Sequence, residues 1–248
     1  GVQTCALPIL LGMVITGDVF NLFVFLEISS LSTYVMISLG KSRRAMTAAF
    51  RYLVLGTVGA TYYVIGVGLL YQMTGTLNMA DLADKLPAVT ETRTILVALG
   101  FLTVGIGLKL GLFPVHLWLP NAYTYAPSVV TAFLAATATK VAVYALLRIY
   151  FTVFDVEAIE AYPLDEALLL LGLAAIVSMS AVAIFQTDVK RLLAYSSVAQ
   201  LGYMIIGISF LTITGLAAGI LHVFNHGLMK AALFMVIACV FLRIKSVK

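Results

Sequence analysis

Long apolar segments separated by short polar turns run along almost the whole sequence. Three of them, 52–80, 110–139 and 167–187, contain no Asp, Glu, Lys or Arg. Each exceeds the roughly 20 residues that a helix needs to cross the hydrocarbon core of a membrane. The pattern therefore predicts an all-α protein, a polytopic transmembrane helical bundle with about eight crossings, near residues 6–17 (partial), 20–39, 47–73, 94–116, 128–150, 165–186, 193–210 and 214–242.

The composition excludes several other classes of protein. Hydrophobic residues make up 62% of the chain and charged residues only 10%, whereas soluble domains carry about 25% charged residues. Cys5 and Cys239 match no spacing of an iron–sulfur or structural zinc site. The net charge of +4 comes from basic residues in short turns, which does not indicate nucleic-acid binding. No phosphate-binding or dinucleotide-binding motif is present, so we expect no cofactor.

The charged turns alternate in sign along the chain. Basic residues flank the turns at 41–51 and 190–191 and the end at 243–248, whereas the connections 81–91 and 155–166 are acidic. The positive-inside rule therefore predicts that the basic turns are cytoplasmic and that the 78–91 loop lies outside. We also expect an aromatic belt at the span ends, formed by Trp118, Tyr123, Tyr125, Tyr150 and Tyr162.

Six ionisable residues fall inside the predicted spans. A lone charge at the bilayer centre costs roughly 2.5–3.5 kcal/mol, so these groups should face one another or water. A structural ion pair, or lysines that extend to the membrane surface, would be the non-functional explanation. A buried lysine with a nearby carboxylate can instead take up and release a proton near neutral pH. The candidates for proton translocation are Glu27, Lys109, Lys140, His222, His226 and Lys230.

The predicted span that contains Lys109 carries residues that interrupt helices. Gly107 and Gly111 flank the lysine and Pro114 follows. Proline removes a helix hydrogen bond and glycine loosens the turn. Broken helices inside a membrane occur where they line a water-filled or protein-buried site. A simple packing kink is the alternative.

His222, His226 and Lys230 follow one another at intervals of four residues. This spacing places the three side chains on one face of a helix, about 6 Å apart, too far for direct hydrogen bonds. Histidine exchanges protons near neutral pH, so the stripe is typical of a water-bridged proton relay. Histidines that pack against backbone carbonyls are the alternative. The HxxxH pattern lacks the glutamate of HExxH, and we expect no metal site.

Four motifs carry a resemblance to a known family. They are FNLFVFLEISSLSTY (20–34), GLKLGLFPVHLWLPNAYTYAPSVVTAFLAATATKVAVYALLR (107–148), QTDVKRLLAYSSVAQLGY (186–203) and LHVFNHGLMKAALF (221–234). The sequence resembles the proton-conducting antiporter-like subunits of respiratory complex I and of Mrp-type cation/proton antiporters. SSVAQLGY and GTLNMADL are most similar to the D-type subunit of Mrp antiporters.

The resemblance implies a fold of about fourteen helices built from two inverted five-helix repeats. Residues 10–248 would form one membrane domain, with the first repeat near 10–151 and part of the second near 165–248. Residues 1–9 look like a non-native leader, and the sequence is expected to be an internal piece of a longer chain. The second broken helix of the family would lie beyond residue 248.

The resemblance also assigns roles and partners. Glu27 matches the family's essential glutamate, Lys109 the lysine of the broken helix and Lys140 the connecting lysine, while His222, His226 and Lys230 match the central relay. It implies a multi-pass subunit of the bacterial inner membrane that carries protons, with Na⁺ or K⁺, beside other membrane subunits. The leading hypothesis is a subunit of a cation/proton antiporter. The alternatives are a non-redox, proton-pumping subunit of complex I or a membrane hydrogenase, and a non-transporting scaffold.

Overall fold

The chain folds into a bundle of helices. The structure, a computed structural model, describes residues 2–160 and 162–244. Within these ranges there is no β-sheet, and a single isolated bridge joins Asp18 to Asn78. The helices are α1 (Val2–Ile15), α2 (Val19–Ser38), α3 (Arg43–Thr74), α4 (Met79–Lys85), α5 (Arg93–Leu110), α6 (Trp118–Tyr125), α7 (Ser128–Phe133), α8 (Thr139–Arg148), α9 (Val156–Glu160), α10 (Leu164–Ile184), α11 (Val189–Ser209) and α12 (Ile213–Ile244).

Seven helical segments in the described part are long and apolar enough to cross a membrane. They are α2, α3, α5, α10, α11, α12 and the continuous stretch Ser128–Phe154, which contains α7 and α8. A shorter apolar helix, Ala6–Ile15, occupies the partial first crossing. The predicted all-α membrane bundle is confirmed. One boundary was wrong: the span expected at 94–116 ends at Leu110, because the chain leaves the helix at Gly111.

Side chains at the turns explain why the helices begin and end where they do. The Asp18 carboxylate accepts hydrogen bonds from the backbone N–H groups of Phe20 and Asn21, both at 2.8 Å, and so caps α2. Ser42 caps α3 and Asp188 caps α11 in the same way. These bonds satisfy donors that the first helical turn leaves free. Gly75 closes α3 in the left-handed conformation, which glycine adopts without strain.

Small residues set the spacing of the helices that position the candidate site. At Gly105 of α5, an added Cβ atom would lie only 2.7 Å from the carbonyl oxygen of Gly59 on α3. At Gly172 of α10, it would lie 3.0 Å from the carbonyl oxygen of Gly202 on α11. Glycine at these positions lets the backbones touch, as is common between membrane helices. The α3–α5 contact brings the end of α5 against the middle of α2 and α3.

The basic turns meet at one end of the bundle. The α2–α3 turn, the α6–α7 turn, the start of α11 and the end of α12 line one common cleft. At the opposite end, the Tyr162 hydroxyl donates to the carbonyl of Thr90, and Lys85 forms an ion pair of 2.8 Å with Asp81 that holds the pKa of this carboxyl below its usual value. The folded chain therefore separates the basic turns from the acidic ones, as the charge pattern predicts. Residues 245–248, which belong to the predicted basic end, lie outside the described residues.

Candidate functional site

Lys109 lies in the last turn of α5, immediately before the helix breaks. Its side chain is 9% exposed. The ammonium donates a hydrogen bond to the hydroxyl of Ser30 and a longer one, of 3.4 Å, to the carbonyl of Leu26. Both acceptors belong to α2. On the other side lies Gly56 of α3, where an added Cβ atom would stand 3.6 Å from the ammonium nitrogen. Lys109 is thus enclosed between two helices and held by neutral oxygen atoms.

Glu27, the expected partner of Lys109, is half-buried one turn before Ser30 on α2. It forms no ion pair with the lysine: among the described residues, the one pair within 4.0 Å joins Lys85 to Asp81. The predicted pair is therefore open in this structure, with Ser30 in the place where the carboxylate was expected.

The helix break has the composition that the sequence predicted, although its geometry is more specific. Gly111 adopts the left-handed conformation with φ 78°, and the Gly107 carbonyl accepts hydrogen bonds from the N–H groups of both Gly111 and Leu112. Pro114 follows in the non-helical segment between α5 and α6. The indole N–H of Trp118 donates to the carbonyl of Leu108 at 2.8 Å. The Leu108 carbonyl, which loses its helical donor at the break, is thus satisfied inside the protein, as burial requires.

The expected aromatic belt was wrong for three of its five members. Trp118, Tyr123 and Tyr150 are buried, because each polar tip finds a partner in the interior. Trp118 binds a backbone carbonyl freed by the break, and the Tyr150 hydroxyl shares a hydrogen bond of 2.8 Å with Thr103. Aromatic side chains with a satisfied polar group contribute a large buried surface. Spacing alone could not distinguish this burial from a position at the membrane interface.

A small, partly open cavity adjoins Lys109. About 30 Å³ is accessible to the centres of water molecules, which is room for roughly two waters. Polar groups and the lysine form one part of its wall: Ser29, Ser32, Thr33, Tyr52, Tyr123 and Lys109. The cavity is also lined by Phe133, Leu134, Ala138 and Ala142, which lie just before and after Lys140. The cavity therefore extends from the broken helix toward the helix that carries the second lysine.

Lys140 lies where the regular helix resumes after an irregular turn. Leu134–Ala138 forms a π-helical turn between α7 and α8, and such turns are frequent at functional sites. The ammonium of Lys140 donates to the Ala135 carbonyl and, at 3.2 Å, to the Thr139 hydroxyl. Its aliphatic part passes Gly227 of α12, where an added Cβ atom would lie 3.9 Å from two of its carbons. Lys140 thus reaches the helix of the histidine stripe.

In the histidine stripe, His226 and Lys230 are buried and His222 is half-buried. The His222 and His226 rings are stacked, with centroids 6.0 Å apart and an angle of 14°. His226 is 1% exposed, and neither of its ring nitrogens has a hydrogen-bond partner within the described residues. Lys230, 3% exposed, donates to the Leu193 carbonyl at 2.9 Å and to the Ser196 hydroxyl at 3.1 Å, both on α11. An unpartnered buried imidazole is costly, and a bridging water would satisfy it.

These groups form one cluster of basic side chains. Lys140 passes beside Gly227, the residue next to His226, and Lys230 follows His226 by one turn of α12. Like charges this close disfavour simultaneous protonation, so a proton on one group favours release from the next. In the part of the chain that is described, no group of three metal-ligating side chains occurs. The structure thus brings Lys140 to the helix that carries His222, His226 and Lys230, whereas Lys109 lies at the cavity and Glu27 does not line it.

Three hydroxyl groups that bind the buried lysines were not predicted from the sequence. None of Ser30, Thr139 and Ser196 was singled out as a direct partner of a lysine. Little in the sequence indicates these contacts, because a hydroxyl in an apolar helix usually bonds to the carbonyl four residues earlier, as Ser197 does with Leu193. Ser30 makes the same bond to the Leu26 carbonyl and in addition accepts from Lys109. Which hydroxyl also receives a lysine depends on the packing of a second helix.

Comparisons with known proteins agree with this arrangement. The family described as "NADH:quinone oxidoreductase/Mrp antiporter, TM" matches residues 16–248. NADH-quinone oxidoreductase subunit N of Desulforudis audaxviator is 50% identical over 230 residues, which is 92% of this chain and 45% of that protein. The D-type subunit of the Na(+)/H(+) antiporter of Alkalihalophilus pseudofirmus is 35% identical over 224 residues, 90% of this chain and 45% of that protein. In the structure of the Mrp complex from a Dietzia species, one chain superposes with a TM-score of 0.85 at 31% identity, covering 93% of this chain and 42% of that one.

The matches cover most of this sequence but only part of its relatives. The chain spans about half the length of the curated relatives it matches. The apolar helices and these relatives identify a multi-pass protein of the bacterial inner membrane. Because the family match covers nearly all described residues and the relatives include subunits of both branches, the chain belongs to the NADH:quinone oxidoreductase/Mrp antiporter family of antiporter-like membrane subunits.

Proposed function

We propose that this chain is a proton-translocating membrane subunit of a larger assembly. The observation that carries the proposal is the burial of Lys109, Lys140, His226 and Lys230 inside apolar helices, each at most 9% exposed. Among the described residues, no carboxylate lies within 4.0 Å of any of these three lysines. A charged lysine at the bilayer centre costs roughly 2.5–3.5 kcal/mol, and no structural ion pair offsets that cost here. Such groups are retained where protonation itself is the function.

The path begins at Lys109. When the Glu27 carboxylate moves away, the lysine can release its proton to the water-sized cavity bounded by Tyr52 and Tyr123. When the carboxylate approaches, it favours the protonated lysine. The open pair would then be the releasing state. On this proposal the broken helix matters because its irregular backbone leaves space for water beside the lysine.

The path continues at Lys140, whose neighbours Ala138 and Ala142 line the same cavity. From its ammonium the proton passes by bridging water to His226 and then to Lys230. Neither ring nitrogen of His226 has a hydrogen-bond partner among the described residues, so both can bind such a water. Repulsion between the like charges of this cluster favours passing a proton onward over holding several protons at once. Residues 10–151 and 165–248 would be the first repeat and part of the second, so Lys230 would pass the proton toward the second repeat.

The driving force depends on the assembly. The 50% identity with a subunit N supports a redox-driven, complex I-like assembly with other membrane subunits. The role of a D-type antiporter subunit, which the motifs SSVAQLGY and GTLNMADL favour, is the second candidate, supported by the TM-score of 0.85 with the Mrp complex. In the first case NADH oxidation would drive proton uptake by vesicles; in the second, a Na⁺ gradient would move protons without an electron donor.

Replacing Lys140 tests the proposal. In the complete assembly in sealed vesicles, Lys140→Ala should lower proton transport by at least about 100-fold, in the range of a lost proton-transfer group. The matched control is Lys85→Ala, which removes an exposed lysine at the acidic end. A structural scaffold would show the opposite pattern, with less assembled protein for Lys140→Ala and a normal transport rate per assembled complex.

A further inference from the structure

The cytoplasmic end of α3 carries a cluster of arginines that the proton path does not use. Arg43, Arg44 and Arg51 line one open cleft of about 460 Å³, together with Thr47 and the α6 residues Asn121 and Tyr125. This volume is within the range of small-molecule sites, roughly 300–1,000 Å³. All three arginines are exposed, and none has a carboxylate within 4.0 Å among the described residues.

Membrane topology does not require this arrangement. The positive-inside rule counts basic residues in a turn, wherever they point. Here Arg43 and Arg51 are eight residues apart with Thr47 midway, so the three lie on one helical face. Arg44 enters the same cleft from the adjacent face. The result is a concave surface of guanidinium, amide and hydroxyl donors, which is the donor set that recognises a phosphate.

An apolar groove continues along the same face of α3, deeper in the membrane. Leu53, Val54, Thr57, Val58, Thr61 and Tyr62 line it. Val54 and Val58 follow Thr47 by seven and eleven residues, which places them on the arginine face. Arg51 and Val58 are separated by about 10 Å along the helix axis. A phosphate site at the membrane surface, with an apolar groove deeper in the membrane, matches a phospholipid rather than a free anion.

We propose that Arg43, Arg44 and Arg51 bind the headgroup phosphate of an anionic phospholipid whose acyl chain occupies the groove along Val54 and Val58. The cytoplasmic leaflet supplies such lipids at this end of the bundle, because the basic turns lie here. The phosphate bridges the guanidiniums and the Asn121 and Tyr125 donors, and thereby ties α3 to α6, the helix that follows the break. The lipid is a structural ligand and takes no part in proton transfer.

The test measures lipid binding alone, so it is independent of transport. The full chain, purified with its associated subunits in detergent, is titrated with phosphatidylglycerol or phosphatidylcholine and bound lipid is counted by native mass spectrometry. Each basic residue near an anionic surface contributes about fivefold. The triple variant Arg43→Gln, Arg44→Gln, Arg51→Gln should therefore bind phosphatidylglycerol about 100-fold more weakly. The matched control Arg93→Gln, an exposed arginine at the acidic end, should bind normally.

Two further arms keep the outcome decisive. The triple Arg→Lys variant keeps the charges that set topology but loses bidentate phosphate recognition, so it should insert normally and bind several-fold more weakly. Inorganic phosphate should not displace the bound lipid. The proposal is overturned if the glutamine variant binds phosphatidylglycerol like the wild type, if inorganic phosphate competes fully, or if the variants lose an associated subunit while lipid binding stays unchanged.

Discussion

The ammonium of Lys109 is bound by the Ser30 hydroxyl, while Glu27, one turn earlier on the same helix, stays outside ion-pair distance. Two residues of α2 therefore compete for one lysine. A neutral acceptor leaves the lysine free to lose its proton, whereas a carboxylate stabilises the charged form. The side-chain position of Glu27 is consequently the element that would switch the proton affinity of this end of the path.

Removing the Ser30 hydroxyl should impair transport. In Ser30→Ala the buried ammonium loses its nearest acceptor and keeps only the longer bond to the Leu26 carbonyl, a penalty of roughly 1–3 kcal/mol. We expect vesicle proton transport to fall by about tenfold, with normal amounts of assembled protein. Ser38→Ala, near the end of α2, is the control, since that hydroxyl bonds only to the Val35 carbonyl. Equal rates in the two variants would contradict a role for Ser30.

Glu27 and Lys109 should each be essential for transport and dispensable for insertion. Glu27→Ala removes the carboxylate that favours the charged lysine, and Lys109→Ala removes the proton carrier itself. Each should abolish transport in vesicles while the protein remains in the membrane, as judged by immunoblotting of the assembled complex. A transport rate near that of the wild type in either variant would rule out a functional pair. Lost protein with normal specific activity would indicate a purely structural pair.

His226→Gln should slow transport at every pH between about 6 and 9. Glutamine keeps hydrogen-bonding atoms in the interior but does not titrate, whereas histidine exchanges protons in this range. Lys230→Ala should stop transport, because it removes the last carrier of the stripe. The control Asn225→Ala, which alters an exposed position of the same helix, should keep the wild-type rate. An unchanged rate for His226→Gln across the whole pH range would mean that the histidines only pack.

Gly105→Ala should destabilise the bundle by about 1–3 kcal/mol. The added methyl group would lie 2.7 Å from backbone atoms of Gly59 and Tyr63, which cannot move aside without separating α3 from α5. Gly100→Ala is a matched control on the same helix, since an added Cβ there meets nothing within 4 Å. Unfolding in denaturant, followed by circular dichroism, compares the two. Equal midpoints would show that the α3–α5 contact tolerates a larger separation.

The membrane orientation can be tested by cysteine labelling. In a variant without Cys5 and Cys239, Asp84→Cys should react with an impermeant thiol reagent from outside, and Arg43→Cys should react only after the membrane is opened. The positive-inside rule places the basic end, with position 43, in the cytoplasm, and the fold puts the acidic end, with position 84, on the other side. Labelling of position 43, but not of position 84, in intact cells would reverse the orientation.

Several features of the site were predictable because they depend on local spacing. The four-residue interval of His222, His226 and Lys230 requires one helical face whatever packs against it, and the glycines beside Lys109 favour a break. Other features required contacts between distant segments. The choice of Ser30 over Glu27 as the partner of Lys109, and the approach of Lys140 to Gly227, depend on how α2, α5, α8 and α12 are packed.

The sequence by itself determined the class of protein, the number of long spans and the alternation of charged turns. Uncharged runs of more than 20 residues can satisfy their backbone in a membrane only as helices, so these properties follow from composition and period. Only the tertiary structure decided that the expected ion pair is open, that Trp118 and Tyr123 are buried, and that a water-sized cavity lies between Lys109 and the residues flanking Lys140. Side-chain contacts between helices depend on their rotation and on close approach at residues such as Gly59 and Gly105, which no periodicity within a single helix specifies.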